Sequence, residues 1–190
     1  MMLVFVIVTG TILTTALVLV NGFTAPIIER NSDLRLKRNI LAALGIRAGT
    51  GDKDVEASFA ENVQTSTKGE RKFYSARNGD VAFEFRGSGL WGPINGTIAL
   101  ADGLETIRAI TIFHQEETPG LGSRITEAAF LDTFRDKRFT PALKLVAAGK
   151  PADEYSIDAI TGATMTCNAF IRIMNDSLGA ATKALKGGAQ

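Results

Sequence analysis

The stretch "LVFVIVTGTILTTALVLV", Leu3 to Val20, holds no charged residue. It constrains the fold more than any other feature, because an uncharged apolar run of this length has nowhere to go in a small water-soluble core. At ~1.5 Å per residue it nearly crosses a hydrocarbon layer of ~30 Å. Met1, Met2 and the following "NGFTAPII" can extend it. A cleaved signal peptide is the rival reading. It wants a basic n-region and a small-residue cleavage site, but no Lys or Arg precedes Leu3 and no A-x-A follows. The expectation is therefore an uncleaved transmembrane anchor over residues 1–24. Gly10, Thr11, Thr14 and Thr15 cluster on one side of it; they are either a docking face for other membrane helices or residues simply tolerated in lipid. Arg30, Arg35, Lys37 and Arg38 follow the span and none precedes it. Taken alone, the positive-inside rule puts the remainder of the chain in the cytoplasm.

After the span the patterning is that of a folded domain. Ile27, Leu34, Leu41 and Leu44 recur at helical spacing, as do Leu36 and Ile40, which predicts an amphipathic connecting helix within residues 25–46. Gly45 is its expected C-cap, and 47–54 its following loop. "RKFYSAR" and "DVAFEFR" flank Asn78-Gly79, a hairpin signal because both turn positions accept positive φ. "INGTIALAD" and "IRAITIFHQ" flank a second turn at Asp102 and Gly103. Residues 125–138 read as a helix with Ile125, Ala129 and Phe134 facing inward. "EYSIDAI" reads as a short extended segment. Ala163 to Leu185 reads as a helix with Phe170, Ile173, Met174, Ala181 and Leu185 on its apolar stripe, followed by a frayed tail. The expected fold is α+β, an antiparallel sheet flanked by helices, preceded by one N-terminal transmembrane helix. The domain proper is 47–190.

Composition excludes several chemistries. The 190 residues carry 21 basic and 20 acidic side chains, a net charge of +1. Nucleic acid as a partner selects for a strong basic excess and is not expected. Cys167 is the one cysteine and His114 the one histidine. That leaves no internal disulfide and no usual zinc spacing, and nothing near His114 builds a hydrolytic triad. No catalytic residue and no metal ligand is assigned. His114 reads as a strand residue rather than a proton relay.

Three stretches remain. "RGSGLWGPING" (86–96) and "EETPGLGSRI" (116–125) are rich in glycine and proline, which alone marks turns. Both hold more than turn residues. Trp91, the one tryptophan, sits between glycines where its ring can lie over a flat ligand, with Leu90 beside it. Glu117, Thr118, Leu121 and Gly122 surround Pro119-Gly120. Amides freed by glycines, with a hydroxyl and an apolar side chain, suit an aromatic heterocycle with polar edges. The third stretch, "DAITGATMT" (158–166), opens the last helix. Thr161 or Thr164 could cap it. A helix start is also where a phosphate is best held, so a threonine hydroxyl there could carry a phosphate ester.

The pattern Asp-x-x-(Ser/Thr)-Gly-Ala-Thr, met at Asp158, Thr161, Gly162, Ala163 and Thr164, together with "ETPGLG" at Glu117 to Gly122, resembles the FMN-binding domain family. In that family FMN is linked to threonine as a phosphoester, and the linked position maps to Thr164. The resemblance implies that Asp158 and Thr161 orient the loop or assist the flavin transferase that installs FMN. It implies that Glu117, Thr118, Leu121 and Gly122 line the isoalloxazine, with Leu90 and Trp91 joining them. It implies an electron-transfer subunit rather than a catalyst with its own substrate, working beside other membrane subunits of a redox-driven ion pump. Two branches of the family fit. "LRLKRNILAALG" and "GSGLWGPINGTIAL" are similar to the C subunit of the sodium-translocating NADH:quinone oxidoreductase, and "HQEETPGLG" fits the G subunit of the Rnf complex, which links ferredoxin and NAD. Both branches place the domain on the periplasmic or outer side of the inner membrane, against the charge count around the span. A stand-alone anchored FMN protein and a flavin-free anchored binding module are the alternatives.

Overall fold

A computed structural model describes residues 1–147, 149 and 153–187. The chain divides into two units, Met1–Leu36 and Lys37–Gln190. The first lies within helix α1, Met2–Ala43. Its most apolar window has a mean hydropathy of 2.6, long and apolar enough to cross a membrane. The helix is unbroken at the expected boundary between anchor and connector and runs through Pro26, which withdraws only the hydrogen bond that the Gly22 carbonyl would accept. It ends at Gly45 as expected. Gly45 has φ +70°, its N–H donates to the Ala42 carbonyl, and the Ile46 N–H donates to that of Leu41. This is a Schellman closure, which needs a left-handed residue at that point.

The second unit is built on a five-stranded antiparallel meander in the order β1-β2-β3-β4-β5. The strands are β1 (Val63–Lys68), β2 (Arg71–Ala76), β3 (Val81–Ser88), β4 (Pro93–Leu100) and β5 (Ile107–His114). Both predicted hairpins are present, with one correction at the first turn: only Gly79 takes positive φ, at +89°. Asn78 instead folds its side chain back, its carbonyl oxygen accepting the Asp80 N–H at 3.1 Å.

Two elements lie where no strand or helix was expected. Helix α2 (Asp52–Asn62) begins inside the predicted loop, and β1 follows it directly. α2 buries Val55 alone and turns the Phe59 ring edge-on to Tyr74 at 6.0 Å. β1 is "VQTSTK", a mostly exposed edge strand. Neither carries enough apolar residues to show a period.

The helix predicted over 125–138 is also corrected. It is a 3₁₀ turn at Gly122–Thr126, a single helical turn α3 at Ala128–Leu131, and a second 3₁₀ turn at Asp132–Phe134. Glu127, extended at ψ 136°, breaks it. Ile125 and Phe134 are buried as expected, but Phe130, not Ala129, fills the third inward position. The short β7 (Ser156–Asp158) pairs in parallel with β6 (Lys144–Val146), a partner the sequence did not announce.

Helix α4 (Thr164–Gly187) covers the core face of the sheet. Phe170 anchors it. That ring meets Phe85 at 5.9 Å, Phe134 at 5.6 Å and Phe130 at 6.0 Å, all between centroids. A Cβ at Gly87 would collide with Ile173, so α4 sits directly on the β3 backbone. The frayed tail expected beyond α4, at 188–190, lies outside the described residues.

Candidate functional site

Three segments converge where α4 begins. The first is the tip of the β3–β4 hairpin, closed by the Gly89 N–H donating to the Gly92 carbonyl at 2.8 Å. Leu90 and Trp91 stand at that tip, and Trp91 is 74% exposed. The second is the turn after β5. Pro119 fixes its entry, Gly120 has φ +73°, and the Leu121 N–H donates to the Thr118 carbonyl at 3.2 Å. Proline followed by a positive-φ glycine is the requirement of a type II turn. The third is the link from β7 into α4, where Gly162 has φ +84° and Thr164 is the first helical residue.

Together they line a cleft of about 320 Å³, formed by Leu90, Trp91, Thr118, Leu121, Gly122, Gly162, Ala163, Thr164, Met165 and Thr166. That is within the range of small-molecule sites. The apolar side chains on its rim are conspicuous for their exposure. Beyond α1, the large hydrophobic side chains left exposed among the described residues are Leu90, Trp91, Leu121 and Met165. All four line this cleft. Apolar surface left uncovered around one concavity marks a binding site.

Of the residues singled out in the sequence, eight share the cleft: Leu90, Trp91, Thr118, Leu121, Gly122, Gly162, Ala163 and Thr164. Thr164 is exposed, and no hydrogen bond engages its hydroxyl among the described residues. Thr161 faces a neighbouring depression with Leu145, Ala159 and Asn168, which Thr164 also lines. Asp158 lines neither hollow; one of its carboxylate oxygens is buried without a partner. Glu117 is not in the wall. It is 4% exposed and lies behind the cleft, where its Oε1 accepts the Leu90 N–H at 2.8 Å and the Trp91 N–H at 3.0 Å. Its Oε2 accepts the Thr166 hydroxyl at 2.7 Å. The three threonines of "TGATMT" are thereby distinguished: Thr166 is buried, while Thr161 and Thr164 are exposed and their hydroxyls have no hydrogen-bond partner among the described residues. Met165 was missed, since one methionine on an amphipathic helix carries no signal of its own. Next to Thr166, Cys167 is fully buried, and burial pushes its thiol above the usual range; such a thiol is a packing group.

The residues present fit a flavin mononucleotide. A flat ring finds apolar side chains on several sides, and a phosphate finds an uncommitted hydroxyl at the N-terminus of a long helix, where unpaired amides and the helix dipole favour negative charge.

The fold and cleft are of the kind that the two motifs led us to expect, and residues 89–179 match the model of the FMN-binding domain. The segment includes both "ETPGLG" and "DAITGAT". More particularly, the chain is similar to the C subunits of Na(+)-translocating NADH-quinone reductases. It is 35% identical over 94 residues to that of Vibrio alginolyticus, covering 46% of this chain and 37% of the relative. It is 34% identical over 105 residues to that of Yersinia pestis, covering 52% and 40%. The matches span about two fifths of the length of these relatives. Among solved structures, the C subunit of the Parabacteroides distasonis reductase superposes with a TM-score of 0.71 at 22% identity, over 84% of this chain and 95% of that one. NqrC of Shewanella oneidensis gives 0.67 at 22% identity, over 76% and 90%. These likenesses show the fold.

Proposed function

We propose that the protein is a membrane-anchored electron carrier that holds FMN covalently, as a phosphoester on Thr164, within an ion-translocating NADH:quinone oxidoreductase. The observation that carries this reading is the coincidence at one cleft of an uncommitted Thr164 hydroxyl and the four large apolar side chains left exposed beyond α1 among the described residues. Relatives named as subunits of a sodium-translocating enzyme support the choice of complex and ion. They also support the expectation of membrane partners; a flavin transferase for maturation is what covalent attachment would require.

When bound, FMN supplies one- and two-electron redox chemistry; the protein supplies attachment, orientation and electrostatics. Thr164 fixes the phosphate end. Leu90, Trp91, Leu121 and Met165 exclude water from the ring. Thr118 offers a hydroxyl to a polar edge. Thr161 lines the neighbouring depression that Thr164 also borders, where an installing enzyme could approach without entering the ring cleft, and Asp158 leads into the same loop from β7.

The test is the attachment point. The chain is produced in a host that contains a flavin transferase, and its peptides are examined by mass spectrometry. FMN less one water is expected on the fragment that contains Thr164. Thr164→Val should give a folded, colourless protein, and Thr166→Val a yellow one. A yellow, covalently flavinylated Thr164→Val protein sinks the assignment.

A further inference from the structure

The resemblance would put Glu117 against the ring, but its contacts point elsewhere. From them we infer that Glu117 is a positioning residue, a clamp that holds the Leu90–Trp91 tip at a fixed distance from the first turn of α4 and so sets the width of the cleft. Its functional meaning rests on the proposed use of that cleft.

The geometry is that of one side chain joining three segments. The Leu90 and Trp91 amides lie at the hairpin tip, where the strand ladder has ended and no partner strand can accept them. One carboxylate oxygen takes both, at 2.8 and 3.0 Å. The other oxygen takes the Thr166 hydroxyl, 49 residues away in sequence. Glu117 itself is fixed from behind, its N–H donating to the Gln115 side-chain oxygen at 2.6 Å. No ion pair engages it among the described residues, so three neutral donors hold the carboxylate. Donors aimed at a carboxylate make stronger bonds than neutral pairs, and a buried acceptor of this kind cannot be removed without orphaning all three.

The surrounding backbone is cut to the carboxylate. A Cβ at Gly89 would collide with Oε1. A Cβ at Gly122 would lie 2.8 Å from Oε2 and 2.6 Å from the Thr166 hydroxyl. Two glycines from two motifs therefore serve one side chain that lines no wall of the cleft.

Trp91 is the one tryptophan of the chain, so its fluorescence reports the clamped tip with no flavin needed. The full chain is purified in detergent from a host without the transferase, and Trp91 anisotropy decay is recorded in folded samples. Glu117→Ala should lower the residual anisotropy about twofold, as the tip gains nanosecond motion. Glu117→Gln should restore it, since its oxygen accepts the two amides and its –NH₂ donates to Thr166. Thr166→Val keeps the volume and should produce a smaller loss, which Thr166→Ser reverses; this pair decides the matter if Glu117→Ala does not fold. A merely structural role would lower the melting temperature and leave native-state anisotropy unchanged. Unchanged anisotropy in Thr166→Val and in folded Glu117→Ala overturns the clamp. The same variants from a host with the transferase should keep FMN on Thr164 yet show a shifted flavin band in Glu117→Ala. A wild type without covalent flavin in that host counts against the Thr164 assignment alone, because the flavin-free measurement has already decided the clamp.

Discussion

The two glycines of "ETPGLG" look alike in the sequence and are needed for opposite reasons. Gly120 has φ +73° and nothing within 4 Å of where a Cβ would stand. Its requirement is backbone conformation alone, a cost of ~1–2 kcal/mol for most side chains, and one that asparagine tolerates better than others. Gly122 has ordinary φ but no room, with Glu117 and Thr166 inside contact distance. The expected outcome is that Gly120→Asn is nearly neutral in a denaturant melt, while Gly122→Asn costs ~1–3 kcal/mol or more by overpacking and displaces the Glu117 carboxylate. Equal effects at the two positions would show that one mechanism serves both. Residue by residue, the wall of the cleft was legible because its members are of unusual type in unusual company: a lone tryptophan between glycines, and threonines at a helix start. What Glu117 does was not legible. Its partners are two main-chain amides and a distant hydroxyl, and main-chain donors leave no mark in a sequence.

At the scale of elements, the strands and long helices with apolar periods were readable, and so were turns with glycine. α2 and β1 were not, because helix 52–62 buries one side chain and strand 63–68 is nearly all polar; what holds them is attachment to neighbours already in place. The predicted hairpin turns hide a further link that the sequence did not reveal. Asp80, 5% exposed, follows Gly79 in the first turn. Its Oδ1 accepts the Asp102 N–H of the second turn at 3.2 Å, and its Oδ2 accepts the Asn78 side-chain amide at 2.9 Å. Arg108 of β5 lies 3.6 Å from the same oxygen. One carboxylate thus ties the β2–β3 turn to the β4–β5 turn. Asp80→Ala removes a buried acceptor from donors on exposed residues, which water can partly replace, and should cost ~0.5–1.5 kcal/mol. A lower urea midpoint at unchanged slope would register it. Glu105→Ala removes only an exposed pair with Arg138 and should change stability by well under ~1 kcal/mol.

For the whole molecule the open quantity is sidedness, since the charge count and the family resemblance oppose each other. The charge argument weighs Arg30, Arg35, Lys37 and Arg38 as free cations that keep a segment on the cytoplasmic side. Two of the four are committed to the domain. The Arg38 guanidinium donates to Asp52 at 2.7 Å and to the Thr50 carbonyl at 3.3 Å, and the Lys37 ammonium lies 5.8 Å from the centre of the Phe59 ring. Glu29 and Asp33 stand among the remaining two. The surplus able to act on topology is therefore smaller than the sequence count. A covalent link also has its clearest use outside the cytoplasm, where a flavin lost by dissociation could not be replaced. The expectation is that residues after about Asn21 lie on the outer side of the inner membrane. Protease added to intact spheroplasts should then remove the domain, leaving a membrane-embedded N-terminal fragment. A cytoplasmic marker protein must survive the same treatment. If the domain is cut only after lysis, the basic residues do govern the orientation, and an electron carrier on the cytoplasmic face would have to be sought in its place.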